Sequence, residues 1–206
     1  WVANNDCFMV HISTDFVFDG TNSVPYLPTD NACPLSVYGS SKLAGEAALQ
    51  SWLPERHTII RTSWLYSEYG KNFVQTMLRL MKQKDELGVV ADQVGSPTST
   101  HSLVALLLRI LGQGNKPGIY HWTDGASVSW YEFAKAIQQE AIDQGLLKEK
   151  IPIKPLTTKE YATPAVRPAY SVLDRSKILS DIGMQATDWQ KELRSVIKQV
   201  AKRTED

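Results

Sequence analysis

Cys7-Phe-Met-Val-His-Ile-Ser13 is followed at once by Thr14-Asp15. The first seven residues are mostly apolar and read as a short buried strand. The strand then ends on hydroxyls and a carboxylate. Ligands of open α/β sheets collect outside the C-terminal ends of the strands, so Ser13, Thr14 and Asp15 are placed where chemistry is expected. Working outward, 57–62 (His-Thr-Ile-Ile-Arg-Thr), 87–91 and 118–122 have the same short apolar character. Between them, helical patterns run over 35–51, 71–84 and 101–112. In the second, Phe73, Met77, Leu80 and Met81 recur at three- and four-residue steps and form one apolar stripe. Strand–helix–strand alternation predicts a parallel sheet covered by helices.

The last third has a different grain. Ser129 followed three residues later by Glu132 is a capping-box signature for a helix start. Pro152, Pro155, Pro164 and Pro168 then punctuate a stretch that reads as ordered loop, and helices near 174–182 and 188–203 follow. The 206 residues are ample for a real core. Twenty-two basic residues balance 22 acidic ones, which leaves no electrostatic footprint for nucleic acid or an anionic membrane. Apolar runs such as Leu103 to Leu108 are too short to span a bilayer. Cys7 and Cys33 are the only cysteines, so neither a disulfide framework nor a four-cysteine metal site is available, and a reducing cytoplasm is expected. His11, His57, His101 and His121 lack metal-ligand spacing and read as structural or exposed, so no metal is expected.

A tyrosine with a lysine four residues later shares one helix face with it, and the ammonium favours the phenolate. Such a phenol can deliver a proton to a carbonyl oxygen. With 8 Tyr and 14 Lys, chance alone predicts roughly half a match. The sequence has two, Tyr38-Gly-Ser-Ser-Lys42 and Tyr131-Glu-Phe-Ala-Lys135. Tyr131 opens an amphipathic helix in which Phe133, Ala134 and Ile137 face the core, so it reads as a half-buried aromatic. Tyr38 follows the strand that ends in Thr14-Asp15, and its pair is the candidate for chemistry.

His11-Ile-Ser-Thr-Asp-Phe-Val-Phe-Asp-Gly20, Pro25-Tyr26, Asp30, Pro34 and Tyr38-Gly-Ser-Ser-Lys-Leu-Ala-Gly-Glu46 closely resemble the extended short-chain dehydrogenase/reductase family, in its branch that forms dTDP-L-rhamnose. Arg61-Thr-Ser-Trp-Leu-Tyr66, Asp92-Gln-Val-Gly-Ser-Pro-Thr98 and Thr163-Pro-Ala-Val-Arg-Pro168 agree, so the resemblance runs over nearly the whole chain. It implies an α/β fold: the C-terminal part of a Rossmann-like parallel sheet flanked by helices, plus a small α/β substrate-binding portion. The division it implies is 1–118 for the Rossmann-like part, with substrate-loop segments near 92–100, and 119–206 for the substrate-binding portion and C-terminal helices.

The implied activity is reduction of the 4-keto group of a dTDP-linked sugar by NADPH or NADH. The catalytic set falls on Thr14, Tyr38 and Lys42. Tyr38 gives the proton, Lys42 holds the nicotinamide ribose, and Thr14 hydrogen-bonds the reacting oxygen. Main-chain atoms around Ile12 and Thr62–Ser63 lie along the nicotinamide. Asp15 and Trp64 contact the sugar, Trp64 offering a flat face to the ring, with simple core packing as the alternative reading of Trp64. Gln93 and Arg167 are further substrate-binding candidates; an arginine fork suits a diphosphate, and a surface salt bridge is the other reading of Arg167. Phe16 stands where the family usually has tyrosine.

The resemblance also implies a Gly-rich turn after a first strand, holding the pyrophosphate. Gly112, Gly114 and Gly118 follow a helix and precede a strand, the reverse of the required order. The chain starts Trp-Val-Ala without a methionine, and the family's N-terminal third is not matched. The expectation is a fragment, weak or inactive alone, whose strand 7–13 has an open edge suited to homodimerisation or other association. Two other functions share the fold: a non-catalytic subunit similar to the β-subunit of methionine adenosyltransferase, and a nucleotide-sugar epimerase.

Overall fold

The computed structural model describes residues 1–5, 7–114, 116–125, 127–161 and 167–205. Its elements in order are β1 (Met9–Thr14), α1 (Val37–Trp52), β2 (His57–Thr62), β3 (Leu65–Tyr66), α2 (Phe73–Met81), β4 (Leu87–Val90), β5 (Val94–Gly95), β6 (Thr98–Ser99), α3 (Thr100–Gly112), β7 (Gly118–His121), β8 (Val128–Ser129), α4 (Trp130–Asp143), β9 (Ile153–Leu156), α5 (Ser176–Ile182) and α6 (Trp189–Glu205). The expected strands and helices are present with ends shifted by a few residues. The capping box at Ser129 is formed as well: its hydroxyl accepts from the Glu132 N–H while the Glu132 carboxylate accepts from the Ser129 N–H.

β1, β2 and β7 form one parallel sheet in the order β1-β2-β7. The register sets Thr14 beside Thr62 and Arg61 beside His121, so the C-terminal ends of the strands lie level. Among the described residues β1 is paired on one side only. Four-residue β4 does not join this sheet. It pairs in parallel with β9, which lies in the Pro-rich stretch expected to be loop. Pro155 sits inside β9 opposite Val89, a position an edge strand tolerates because no ladder N–H is needed on its outer side.

Two cores result. One lies between the three-stranded sheet, α3 and α5, and holds Ile60, Leu106, Ile110, Trp122 and Ile178. The other joins α2, α4 and α6, with Val74, Met77, Phe133, Ile137, Leu193 and Ile197. β7 and α5 belong with the first core while α2 and β4 belong with the second, so each core draws on both sides of position 118.

A buried ion pair ties α1 to the sheet. Glu46 is fully buried and Arg61 is 3% exposed. The guanidinium reaches the carboxylate in a fork, Nε to Oε1 at 3.0 Å and an Nη to Oε2 at 2.7 Å. The Ser13 hydroxyl donates to the same carboxylate. Burial, with the Arg61 charge nearby, pushes the pKa of His121 down to about 3, so this histidine is neutral. Removing one partner of such a pair strands the other charge in a dry interior and typically costs about 3–5 kcal/mol. Glu46→Gln is expected to lower unfolding free energy by about 3 kcal/mol or more in urea titrations. A loss near zero would show that Arg61 finds other compensation.

A second buried carboxylate sits where α3, the end of β7 and α6 meet. Asp124 accepts from the Ser99 N–H at 2.6 Å and from Thr187 at 3.2 Å, and Ser102 donates to it as well. Burial outweighs these donors and, with the nearby Glu192 charge, raises its pKa to about 6. A carboxyl with a raised native pKa binds its proton more tightly folded than unfolded. Its contribution to stability is therefore full below about pH 4 and is lost as pH rises through about 6. Urea midpoints measured from pH 4 to 7 are expected to carry this downward component, worth up to roughly 3 kcal/mol, and Asp124→Asn to remove it. An identical pH profile in the variant would refute this.

Candidate active site

β1 ends by tightening into a 3-10 turn, Asp15–Val17, capped by Thr14, whose hydroxyl oxygen accepts from the Phe16 N–H at 3.2 Å. The same hydroxyl donates to Asp15 Oδ1 at 3.1 Å. Asp15 is 2% exposed, and its Oδ2 has no hydrogen-bond partner among the described residues. Burial raises its pKa to about 6, partly offset by the Ser171 and Thr14 hydroxyls. The carboxyl of Asp15 thus titrates near neutrality.

α1 begins directly over this turn. Ser36 caps it by accepting from the Gly39 N–H at 3.1 Å. Gly39 is required by packing: a Cβ there would lie 2.2 Å from the Phe16 carbonyl oxygen. The close approach holds the first turn of α1 against the end of β1. Tyr38, directly before Gly39, is 55% exposed, with its ring edge-on to Phe16 at 5.9 Å. Phe16 therefore supports the catalytic tyrosine candidate through its ring alone. One turn later, Lys42 Nζ donates to the Ile12 carbonyl at 2.5 Å and lies 3.5 Å from His11 Nε2. Burial, followed by the Lys42 charge, lowers the pKa of His11, so a neutral imidazole stands beside the ammonium. No hydrogen bond joins the Tyr38 phenol to another described residue.

The expected site residues divide into two groups. Ile12, Thr14, Asp15, Tyr38, Lys42, Thr62, Ser63 and Trp64 line one cavity of about 390 Å³ at the C-terminal edge of the sheet. Its floor is fixed by Ser63, whose hydroxyl donates to the Ser96 carbonyl at 2.6 Å, and by Thr62, which bonds Thr98 at 3.3 Å. Gln93 and Arg167 do not line it. They border a crevice that adjoins it through Phe16 and Trp64. Gln93 is buried and donates to Thr158 at 3.0 Å, while Arg167 is exposed. Of the segment 163–168, residues 163–166 lie outside the described residues.

Trp64 is half-buried and stacks on Trp130, ring centroids 3.5 Å apart and planes 11° from parallel, so one indole face is already covered. The second tyrosine motif behaves as expected: Tyr131 packs against the α2–α4–α6 core and Lys135 lies over its ring at 5.3 Å. Sequence reasoning gave no role to Glu46, Arg61 and Trp130, and read His11 as structural or exposed without placing it beside Lys42. Glu46 was legible in part, because its spacing of four from Lys42 and eight from Tyr38 puts all three on one helix face.

A phenol without an internal partner, an ammonium and an orphaned buried carboxylate oxygen in one cavity suit a ligand rich in hydroxyls. Comparison with known proteins gives this geometry a family. A dTDP-4-dehydrorhamnose reductase of Aggregatibacter actinomycetemcomitans is 47% identical over 193 residues, covering 91% of this chain and 65% of its own length. The chain thus spans 65% of that relative. A dTDP-4-dehydrorhamnose reductase structure from Clostridium acetobutylicum superposes with a TM-score of 0.89 at 38% identity, covering 97% of this chain and 68% of that one. Another from Bacillus anthracis, in complex with NADP, gives 0.84 at 38% identity, with 93% and 66% covered. The model of the RmlD substrate binding domain matches residues 1–202, and the chain belongs to that family.

Proposed function

We propose that this chain carries the proton-delivering and sugar-binding part of a dTDP-4-dehydrorhamnose reductase, which converts dTDP-4-dehydro-L-rhamnose to dTDP-L-rhamnose with NADPH or NADH. The observation that carries the reading is the convergence of Thr14, Tyr38 and Lys42 on one cavity at the C-terminal sheet edge, with Asp15 and Trp64 in the same wall. The polar groups of that wall fit the nicotinamide-ribose end of the cofactor, which when bound supplies the hydride for C4 of the sugar.

The chain's own residues do the rest. Tyr38 donates its phenolic proton to the O4 oxygen as negative charge develops there. Thr14, by turning its hydroxyl from Asp15 Oδ1, donates a hydrogen bond to the same oxygen, which polarises the carbonyl. Lys42, held by the Ile12 carbonyl, keeps a positive charge beside the ribose hydroxyls and the phenol. Main-chain atoms of Ile12 and of Thr62–Ser63, which line the same cavity, would hold the nicotinamide. Asp15, with one carboxylate oxygen unpaired, accepts from a sugar hydroxyl. Trp64 supplies an apolar wall to the sugar ring, and Gln93 and Arg167 lie on the side towards the diphosphate.

With this reading go a Rossmann-like unit centred on β1, β2 and β7, a substrate-binding portion built around α4 and α6, a cytoplasmic setting, and association through the unpaired side of β1. Among the described residues no helix is long and apolar enough to cross a membrane.

A protein that carries this chain within the full length of its relatives is expected, on incubation with dTDP-4-dehydro-L-rhamnose and NADPH, to consume the reduced cofactor, followed by its absorbance. No consumption with either NADPH or NADH would defeat the proposal. Tyr38→Phe removes one hydroxyl from a half-exposed ring and is expected to leave the unfolding midpoint unchanged while lowering kcat by about 100-fold or more. Retention of wild-type kcat would take the proton-donor role from Tyr38.

A further inference from the structure

Trp64 has φ +48°, the only positive value for a non-glycine residue among those described. Left-handed backbone is disfavoured for a bulky side chain, and it persists only where the surroundings over-determine it. Here two contacts do so. The indole of Trp130 stacks on one face of Trp64. The main chain of Gly95 presses on it as well: a Cβ at Gly95 would come within 2.7 Å of Cε2 and Cζ2 of the indole and 2.9 Å of Nε1.

Both contacts come from one small ribbon. Gly95 lies in β5 and pairs with Val128 of β8, while Val94 pairs with Ser129. Trp130 is the next residue, the first of α4, and the Ser129–Glu132 capping box fixes its exit from the strand. Val94 is also bonded on its other side, its N–H to the Ala169 carbonyl and its carbonyl to the Ser171 N–H, each at 2.8 Å. Trp130 is braced in turn by Phe73, ring centroids 4.6 Å apart. The ribbon is therefore a rigid jaw, and Trp64 is the piece it grips.

We propose that Trp130, together with the close approach of Gly95, is a positioning residue that holds Trp64 in its left-handed conformation so that the indole walls the sugar pocket. This rests on the sugar-binding reading of the cavity. Trp130 itself stands in the adjoining crevice with Gln93 and Arg167 and makes its contribution through Trp64. Released from the stack, Trp64 has no reason to keep a strained backbone, and its ring leaves the cavity wall.

The test separates the clamp from the function. Two stacked indoles couple excitonically, so the wild-type protein is expected to show a couplet in far-UV circular dichroism that both Trp130→Ala and Trp64→Phe remove. A wild-type couplet that survives in either variant would overturn the clamp. Affinity for dTDP-L-rhamnose, measured by calorimetry, is expected to fall at least about tenfold in Trp130→Ala, with affinity for dTDP alone falling much less. Trp130→Phe restores a stacked ring without an indole couplet and is expected to regain most of the affinity. Gly95→Ala pushes on the indole from its other contact and is expected to weaken the sugar nucleotide as Trp130→Ala does. Urea unfolding identifies any variant that fails to fold, and Trp130→Phe and Gly95→Ala then decide the matter. Unchanged affinity in folded variants overturns the positioning role alone. A wild-type protein that shows the couplet but binds no sugar nucleotide overturns the functional reading and the positioning role with it.

Discussion

The buried Glu46–Arg61 pair is the constraint on which the site depends. Ser13 hydrogen-bonds to Glu46 and directly precedes Thr14. Arg61 directly precedes Thr62, Ser63 and Trp64. Glu46 itself lies one turn beyond Lys42 and two beyond Tyr38 on α1. One carboxylate therefore sets the height of a helix against two strands, and each of the three segments carries cavity-lining groups at its next step. Buried ion pairs add little net stability over apolar packing of the same volume, because desolvation consumes most of the attraction. What this one supplies is registry: sliding α1 by a single residue would leave both charges without partners in a dry interior.

The rest of the cavity is assembled from short pieces held by chain segments far away in sequence. Asp15 comes from the turn after β1 with Ser171 nearby, the 62–63 segment is stitched to 96–98, and Trp64 is held by the β5–β8 ribbon. The two-residue strands β3, β5, β6 and β8 have too little length to be stable alone. They hold because each is pinned to something larger: β6 runs directly into α3, and β8 into the capped start of α4.

This pattern explains what could and could not be read from the sequence. β1, β2 and the long amphipathic helices announce themselves through local periodicity, and the Ser129–Glu132 capping box is local too. That Thr14, Tyr38 and Lys42 meet at one sheet edge was legible because a strand end and a four-residue helical spacing are both short-range signals, while their roles were implied by the family resemblance. β9 was hidden, since Pro155 argues against a strand unless the edge position is already known. The partners of Glu46 and Trp64 were hidden for another reason. Arg61 and Trp130 look like any core-proximal residues until the fold brings them within contact, and nothing in their own neighbourhoods encodes the match. Phe16 shows the reverse case, a residue whose departure from the family pattern was visible while its use, an edge contact supporting the Tyr38 ring, was not.

The interleaving of the two cores bears on how the molecule comes into being. Tyr66, Val74 and Met77 pack with Phe133 and Ile137 and finally with Leu193, Val196 and Ile197 on the last helix. On a ribosome, the early members of that cluster emerge long before their closing partners. Local helix formation can start at once, but the apolar face of α2 has nothing to cover it until α4 and then α6 arrive. The nascent chain therefore passes through a stage in which its first sheet can form while its second core stands open. That interval, rather than the finished structure, is when the apolar face of α2 is most exposed to aggregation.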